Sequence, residues 1–307
     1  MRRAQLDPGL GVRILASRAL PYSSDAPAHD DRPAHVRAAS GIAVHGGRLV
    51  VVQDDASFLA VVASDGVSAI KLPRGIDGRR RFEVALGNKL DKLDLESCLA
   101  IDDELWAFGS GSLPIREKIC RVRHGVARVR DAEPLYRRLR ETLASPLNIE
   151  GAARVGHELW LFHRGNTGPT DVGPAVLRLA FDPLRAWLDA SDRLPDAPRV
   201  DGYDLGEIDG ARLGFTDAIA DGDRVFYLAC AELSADAVQD GRVAGSQLGV
   251  IERDRVRATP LLGPDGLPVK AEGIALDPAR PGHAWIVLDP DDPAEPATLL
   301  DIEITGL

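Results

Sequence analysis

The chain has 307 residues, 45% of them hydrophobic, enough to bury a sizeable core in one large domain or two smaller ones, and one is expected. Its 47 acidic and 37 basic residues leave a formal net charge of −10, which argues against nucleic acid or an anionic membrane as partner. The basic runs Arg79-Arg80-Arg81 and Arg137-Arg138 lack the interleaved aromatics that stack on bases and read as solvated loops.

Taken in order, MRRAQLDPGLGVRILASRALP carries two arginines but no unbroken apolar run, and no later run approaches membrane-spanning length, so a cytoplasmic monomer is expected. Cys98, Cys120 and Cys230 are odd in number and far apart, which reads as small core residues rather than disulfides or a zinc site. From residue 40 onward one pattern recurs five times: SGIAVHGGRLVVVQDD, ESCLAIDDELWAFGSG, EGAARVGHELWLFHRG, TDAIADGDRVFYLACAE and EGIALDPARPGHAWIVLD. The anchors Ser40, Glu96, Glu150, Thr216 and Glu272 lie 56, 54, 66 and 56 residues apart.

Each copy reads as a short strand, a polar turn and a more apolar strand, that is, a hairpin. A third strand follows in SFLAVVA, KICRVRH, AVLRLAF, SQLGVIE and ATLLDIEI, and a fourth in VSAIKL, VARVRD and VRATPLL. The expectation is an all-β fold, a five-bladed β-propeller of four-stranded blades spanning residues 1–307. The last copy ends at Leu307 after its third strand, so residues 12–20 are expected to close the ring as its outer strand. Insertions 73–95, 131–147 and 181–213 fall between outer strands and anchors, with short surface helices in YRRLRETLA and PLRAWLDA. The competing reading is a β-sandwich or two-domain β protein with accidental periodicity.

In a propeller the first strand of every blade lines the axis, so the five anchors form a ring. Three carboxylates there would repel one another unless protonated or sharing a cation. The all-oxygen set Ser40, Glu96, Glu150, Thr216 and Glu272 suits Ca²⁺, which takes about 6–8 oxygens, with Mg²⁺ as second choice. Around it, Asp54, Asp55, Asp94 and Arg164 are the candidate catalytic residues. Lys89, Lys92, Ser110, Arg116 and Glu232 are candidates for binding an anionic small molecule. Asp289, Asp291 and Asp292 occupy the same rim, and His163 beside Arg164 reads as an acid or base, or as a hydrogen-bonding filler. Ordinary turn chemistry is the competing account of the aspartate clusters, and a strand-start turn that of any single anchor.

The anchors, within SGIAV, DLESCLAI, IEGAARV, GFTDAIA and AEGIAL, resemble those of the soluble calcium-activated nucleotidases, or apyrases. That family is five-bladed, with one axial Ca²⁺ and the ring order Ser, Glu, Glu, Ser, Glu. Thr216 replaces the second serine, and QDDAS stands where that family has Asp-Asp-Arg-Thr-Gly. The resemblance implies a Ca²⁺-dependent phosphohydrolase acting on a nucleotide or other phosphorylated small molecule. KLDLE, NIEG and KAEG also resemble an uncharacterised bacterial propeller family, which implies no activity. The alternative function is a non-catalytic propeller with a structural cation and a rim that binds a sugar, metabolite or protein.

Overall fold

A computed structural model describes residues 1–27, 29–165, 168–233, 241–253 and 255–307. The fold is all-β and propeller-like, with strands β1 (Arg2–Leu6) and β2 (Gly11–Ala19) ahead of the first repeat. The first antiparallel sheet comprises β3 (Ala39–His45), β4 (Arg48–Gln53), β5 (Phe58–Ala63) and β6 (Gly66–Lys71). The second comprises β7 (Leu95–Ile101), β8 (Glu104–Gly109), β9 (Lys118–Arg123) and β10 (Val126–Asp131). Helix α1 (Glu133–Leu143) leads to β11 (Ile149–Val155), β12 (Glu158–His163) and β13 (Ala175–Ala180), then helix α2 (Phe181–Asp189) and β14 (Arg199–Asp204). The short β15 (Glu207–Ile208) precedes β16 (Ala211–Asp221), β17 (Arg224–Leu233), β18 (Arg242–Ile251) and β19 (Val256–Leu261). The last strands are β20 (Ala271–Leu276), β21 (His283–Leu288) and β22 (Thr298–Thr305), and β2 pairs antiparallel with β22 at the outer edge.

Two arrangements depart from the sequence reading. Strand β1 lies parallel between β14 and β19 and fuses two antiparallel arrays into one ten-stranded sheet. Insertion 181–213 holds, besides the helix expected in PLRAWLDA (α2), the strand β14, which pairs with β13 as its outer strand.

Among the described residues, apolar side chains on both faces of the inner strands feed five buried clusters, each shared by neighbouring strand arrays. Val52, Leu59, Leu105 and Ala107 join the first pair, and Ile42, Val51, Val287 and Leu299 join the last array to the first. Helix α1 presents Leu135, Tyr136, Leu139 and Leu143, and α2 presents Phe181, Leu184, Trp187 and Leu188, to the cluster between the second and third arrays. Both follow the helical spacing of one apolar face. The first strands touch in cyclic order, β3 with β7, β7 with β11, β11 with β16, β16 with β20, and β20 with β3.

Glycine allows this approach. A Cβ on Gly273 would stand 2.9 Å from the backbone of Gly41 and 2.8 Å from Val287 Cγ2, with no room to retreat. Gly273→Ala is therefore expected to cost about 1–3 kcal/mol, read from its urea midpoint. The three cysteines are free and buried, and among the described residues no helix is long and apolar enough to cross a membrane.

Candidate metal centre

Each first strand carries a β-bulge, between Ala39 and Gly41, Leu95 and Ser97, Ile149 and Gly151, Phe215 and Asp217, and Ala271 and Gly273. The extra residues are Ser40, Glu96, Glu150, Thr216 and Glu272, all five sequence anchors. A bulge frees one residue from the ladder and re-aims its side chain, which is how a strand offers a ligand while its neighbours stay paired. Two residues before an anchor, the carbonyls of Ala38, Asp94, Asn148 and Lys270 accept the N–H groups of Asp54, Ser110, Arg164 and Asp289 at 2.9–3.1 Å. Ala38 and Asp94 hold left-handed backbones there, with φ of 45° and 54°. This recurring bond brings the rim residues over the anchors.

The carboxylates meet cations of the chain itself. Lys92 Nζ lies 2.7 Å from Asp94 Oδ1 and also pairs with Asp54. Arg164 bridges Glu150 Oε2 at 3.3 Å and Glu232 Oε1 at 2.7 Å. Lys270 lies 2.6 Å from Asp291 and 3.5 Å from each of Glu232, Glu272 and Asp289. Asp94 further accepts from Ser110 and pairs with Arg116 at 3.0 Å, while Ser112 Oγ accepts from Arg116 at 2.8 Å. Arg37 holds Asp55 at 2.7 Å and Glu83 at 2.6 Å, and Asp55 also feels the charges of Asp54 and Lys92. Lys89 is half-buried in a single 3-10 turn on the loop before β7.

The repulsion expected among the anchors is thus relieved in part from within. Sequence reasoning offered protonation or a metal; the folded chain adds Lys92, Arg164 and Lys270. The guanidinium of Arg164, a candidate catalytic residue, is already shared between two glutamates, and Arg116 and Lys92, candidates for binding an anion, are likewise engaged.

Relief is incomplete. Burial, then Asp94, Glu150 and Asp54, push Glu96 well above the usual carboxylate range. Burial does the same to Glu272 despite Lys270 and Arg164, and it raises Glu150 as well. Burial also acts on Asp94, but Lys92 and Arg116 outweigh it and hold that group low. Ligand atoms of Asp54, Asp94 and Glu96 come within 4.8 Å of one another, and buried Glu272 Oε1 has no hydrogen-bond donor. Ser40 and Thr216 donate their hydroxyl protons to the carbonyls of Ala38 and Ala271 at 3.1 and 2.6 Å, which leaves oxygen lone pairs available. The donor set is all oxygen and fits a hard divalent cation.

Asp289 reports on the same field. Burial, reinforced by Asp291 and Asp54 and opposed by Lys270, pushes it from 3.8 up to about 7. Because its folded pKa exceeds its unfolded one, its stabilising contribution is complete below about 4 and is lost as pH rises through about 7. Asp289→Asn should therefore flatten the stability decline between pH 5 and 8 in chelator, measured by urea unfolding at both.

Residues 35–304 match the model of a family described as a family of unknown function, DUF6929. The chain belongs to that family. No curated protein matches it. Among solved structures it is similar to MPT-4, a mannose phosphorylase from Leishmania mexicana, at 13% identity and TM-score 0.50, covering 95% of this chain and 89% of that one. It is also similar to Myxococcus xanthus glutaminyl cyclase, at 9% identity, TM-score 0.49 and 96% of each chain. At such identity the likeness to the phosphorylase speaks for the fold alone.

Several members of the site escaped the sequence reading. Lys270 and Asn148 each stand two residues before an anchor, an offset the repeats display, and Asp217 follows Thr216 directly. Asn148 donates to Glu150 Oε1 at 2.6 Å through Nδ2, and its backbone N–H donates to His163 Nδ1 at 3.1 Å. That bond leaves the ring proton on Nε2, which faces Asp171 Oδ2 at 3.2 Å. His163, fully buried, serves the placement of Asn148 and through it Glu150.

Proposed function

We propose that the protein is a single-domain, five-bladed β-propeller, closed by β2, that binds one divalent cation at the axial mouth. Ser40, Glu96, Glu150, Thr216 and Glu272 are its ligands, Ca²⁺ the preferred ion and Mg²⁺ the second choice. The observation that carries this reading is the coincidence of all five anchors with the bulges of five strands that touch in cyclic order. Glu272 Oε1, which has Lys270 at 3.5 Å but no hydrogen bond, and the resemblance to the nucleotidase ring support it further.

With an ion in place, the acidic mouth becomes receptive to the phosphoryl group of a small anionic molecule, acting as a cytoplasmic, monomeric phosphohydrolase. A bound ion would supply Lewis acidity toward the phosphoryl group and toward water, and Asp54 and Asp94 at the rim are the candidate bases. Lys92, Ser110 and Arg116 hold those carboxylates in place, Arg164 holds Glu150 and Glu232, and Lys89 and Asp55 complete the candidate set. The same occupied cations favour a second reading, a non-catalytic propeller pinned by its ion, since no free guanidinium is needed there.

Phosphate release from nucleoside di- and triphosphates, pyrophosphate and phosphate esters, with Ca²⁺, Mg²⁺ or chelator, separates the two readings. The hydrolase reading expects metal-dependent turnover that falls by about 10²-fold or more in Glu150→Gln. Turnover no higher than that variant's with every substrate leaves the structural cation alone.

A further inference from the structure

The residue after each anchor forms the next layer down the axis: Gly41, Ser97, Gly151, Asp217 and Gly273. A Cβ on Gly41 would lie 3.2 Å from Ser97 Cα, one on Gly151 3.1 Å from Asp217 Cα, and one on Gly273 2.9 Å from Gly41 Cα. Backbones therefore meet almost without intervening side chains. Into this layer the fourth repeat places a carboxylate.

Asp217 is fully buried. Its Oδ2 accepts the backbone N–H of Ile274, two residues past Glu272, at 2.9 Å, which fixes the plane of the carboxyl group. Its Oδ1 has no hydrogen-bond partner. Glu272 and Glu150 are its charged neighbours, and no cation of the chain is paired with it among the described residues. A buried carboxyl with one orphaned oxygen costs stability, and glycine at the same position serves three other repeats. The backbone N–H groups of Ile274 and Ala218 face the carboxyl group, but packing gives no reason for the bare Oδ1.

We propose that Asp217 Oδ1 is a further ligand of the axial cation, reaching it from beneath the ring of anchors. This rests on the cation-binding reading above. Asp217 adds a fourth carboxylate on the side away from solvent, where Lys92, Arg164 and Lys270 do not pair. The ring then takes a small, doubly charged ion in preference to a large monovalent one.

The test is Ca²⁺ titration calorimetry on the full chain, comparing wild type with Asp217→Asn and Asp217→Gly. Asparagine keeps an acceptor for Ile274, and glycine is the residue of the other repeats. Both variants should fold, with metal-free melting temperatures at or above wild type, and bind Ca²⁺ about tenfold or more weakly. Wild-type affinity in both overturns the role of Asp217 while leaving the ring intact. A wild-type chain that binds neither Ca²⁺ nor Mg²⁺ removes the cation reading and this inference with it. Failure of both variants to fold without metal assigns Asp217 to the framework and overturns the proposal too.

Discussion

Arg164→Met is expected to cost roughly 3–5 kcal/mol at pH 7, the largest loss of any single side chain at the axis. Arg164 is 7% exposed and bridges Glu150 and Glu232, and its path crosses Gly214, where a Cβ would meet Arg164 Cγ at 2.6 Å. Methionine fills much of the volume but strands two carboxylates in a poorly solvated site. The cost lies in that uncompensated charge more than in the bond lost. It should shrink as pH falls and the stranded groups take protons, and shrink again when Ca²⁺ supplies the missing charge. Urea unfolding at pH 5 and 7, with chelator and with Ca²⁺, reads all three effects. A cost below about 1 kcal/mol at pH 7 would mean that Arg164 is a dispensable surface-type pair.

Ca²⁺ itself should stabilise the wild-type chain by about 4 kcal/mol at a thousandfold excess over its dissociation constant, raising the melting temperature by several degrees. The gain should grow as pH rises. Burial and neighbouring carboxylates raise the pKa values of Glu96 and Glu272, so protons compete with the ion and leave as it binds. Glu272→Gln removes a charged ligand and should abolish most of the shift, yet relieve the metal-free protein of a buried acid. Melting curves in chelator and in Ca²⁺ at pH 6 and 8 measure both signs. Equal curves for wild type and variant would detach Glu272 from any ion.

The anchors were legible because a bulge recurs at one phase of a repeated hairpin, and the apolar strands after Ser40, Glu96, Glu150, Thr216 and Glu272 mark that phase. Their counter-charges were not legible as such. Lys92 stands four residues before its anchor, Lys270 two before, and Arg164 fourteen after, so no common offset announces them. Only the fold brings the three to one mouth. The apolar strands were read from β-branched alternation, whereas β1 and β14 were missed. RRAQL and RVDGYD are polar and largely exposed, and their partners lie across two strand arrays or beyond an intervening helix. Asp217 was not singled out because it directly follows an anchor, where the other repeats carry Gly or Ser. Its isolation becomes visible once Gly41, Ser97, Gly151 and Gly273 are seen to share that layer.

The cation at the axis is tested most directly by a crystal structure of the chain grown in Ca²⁺. The account predicts one ion with carboxylate oxygens of Glu96, Glu150 and Glu272 at about 2.3–2.6 Å, and an anomalous signal at that point. A mouth holding only water, with Arg164 and Lys270 paired as they are here, would contradict it.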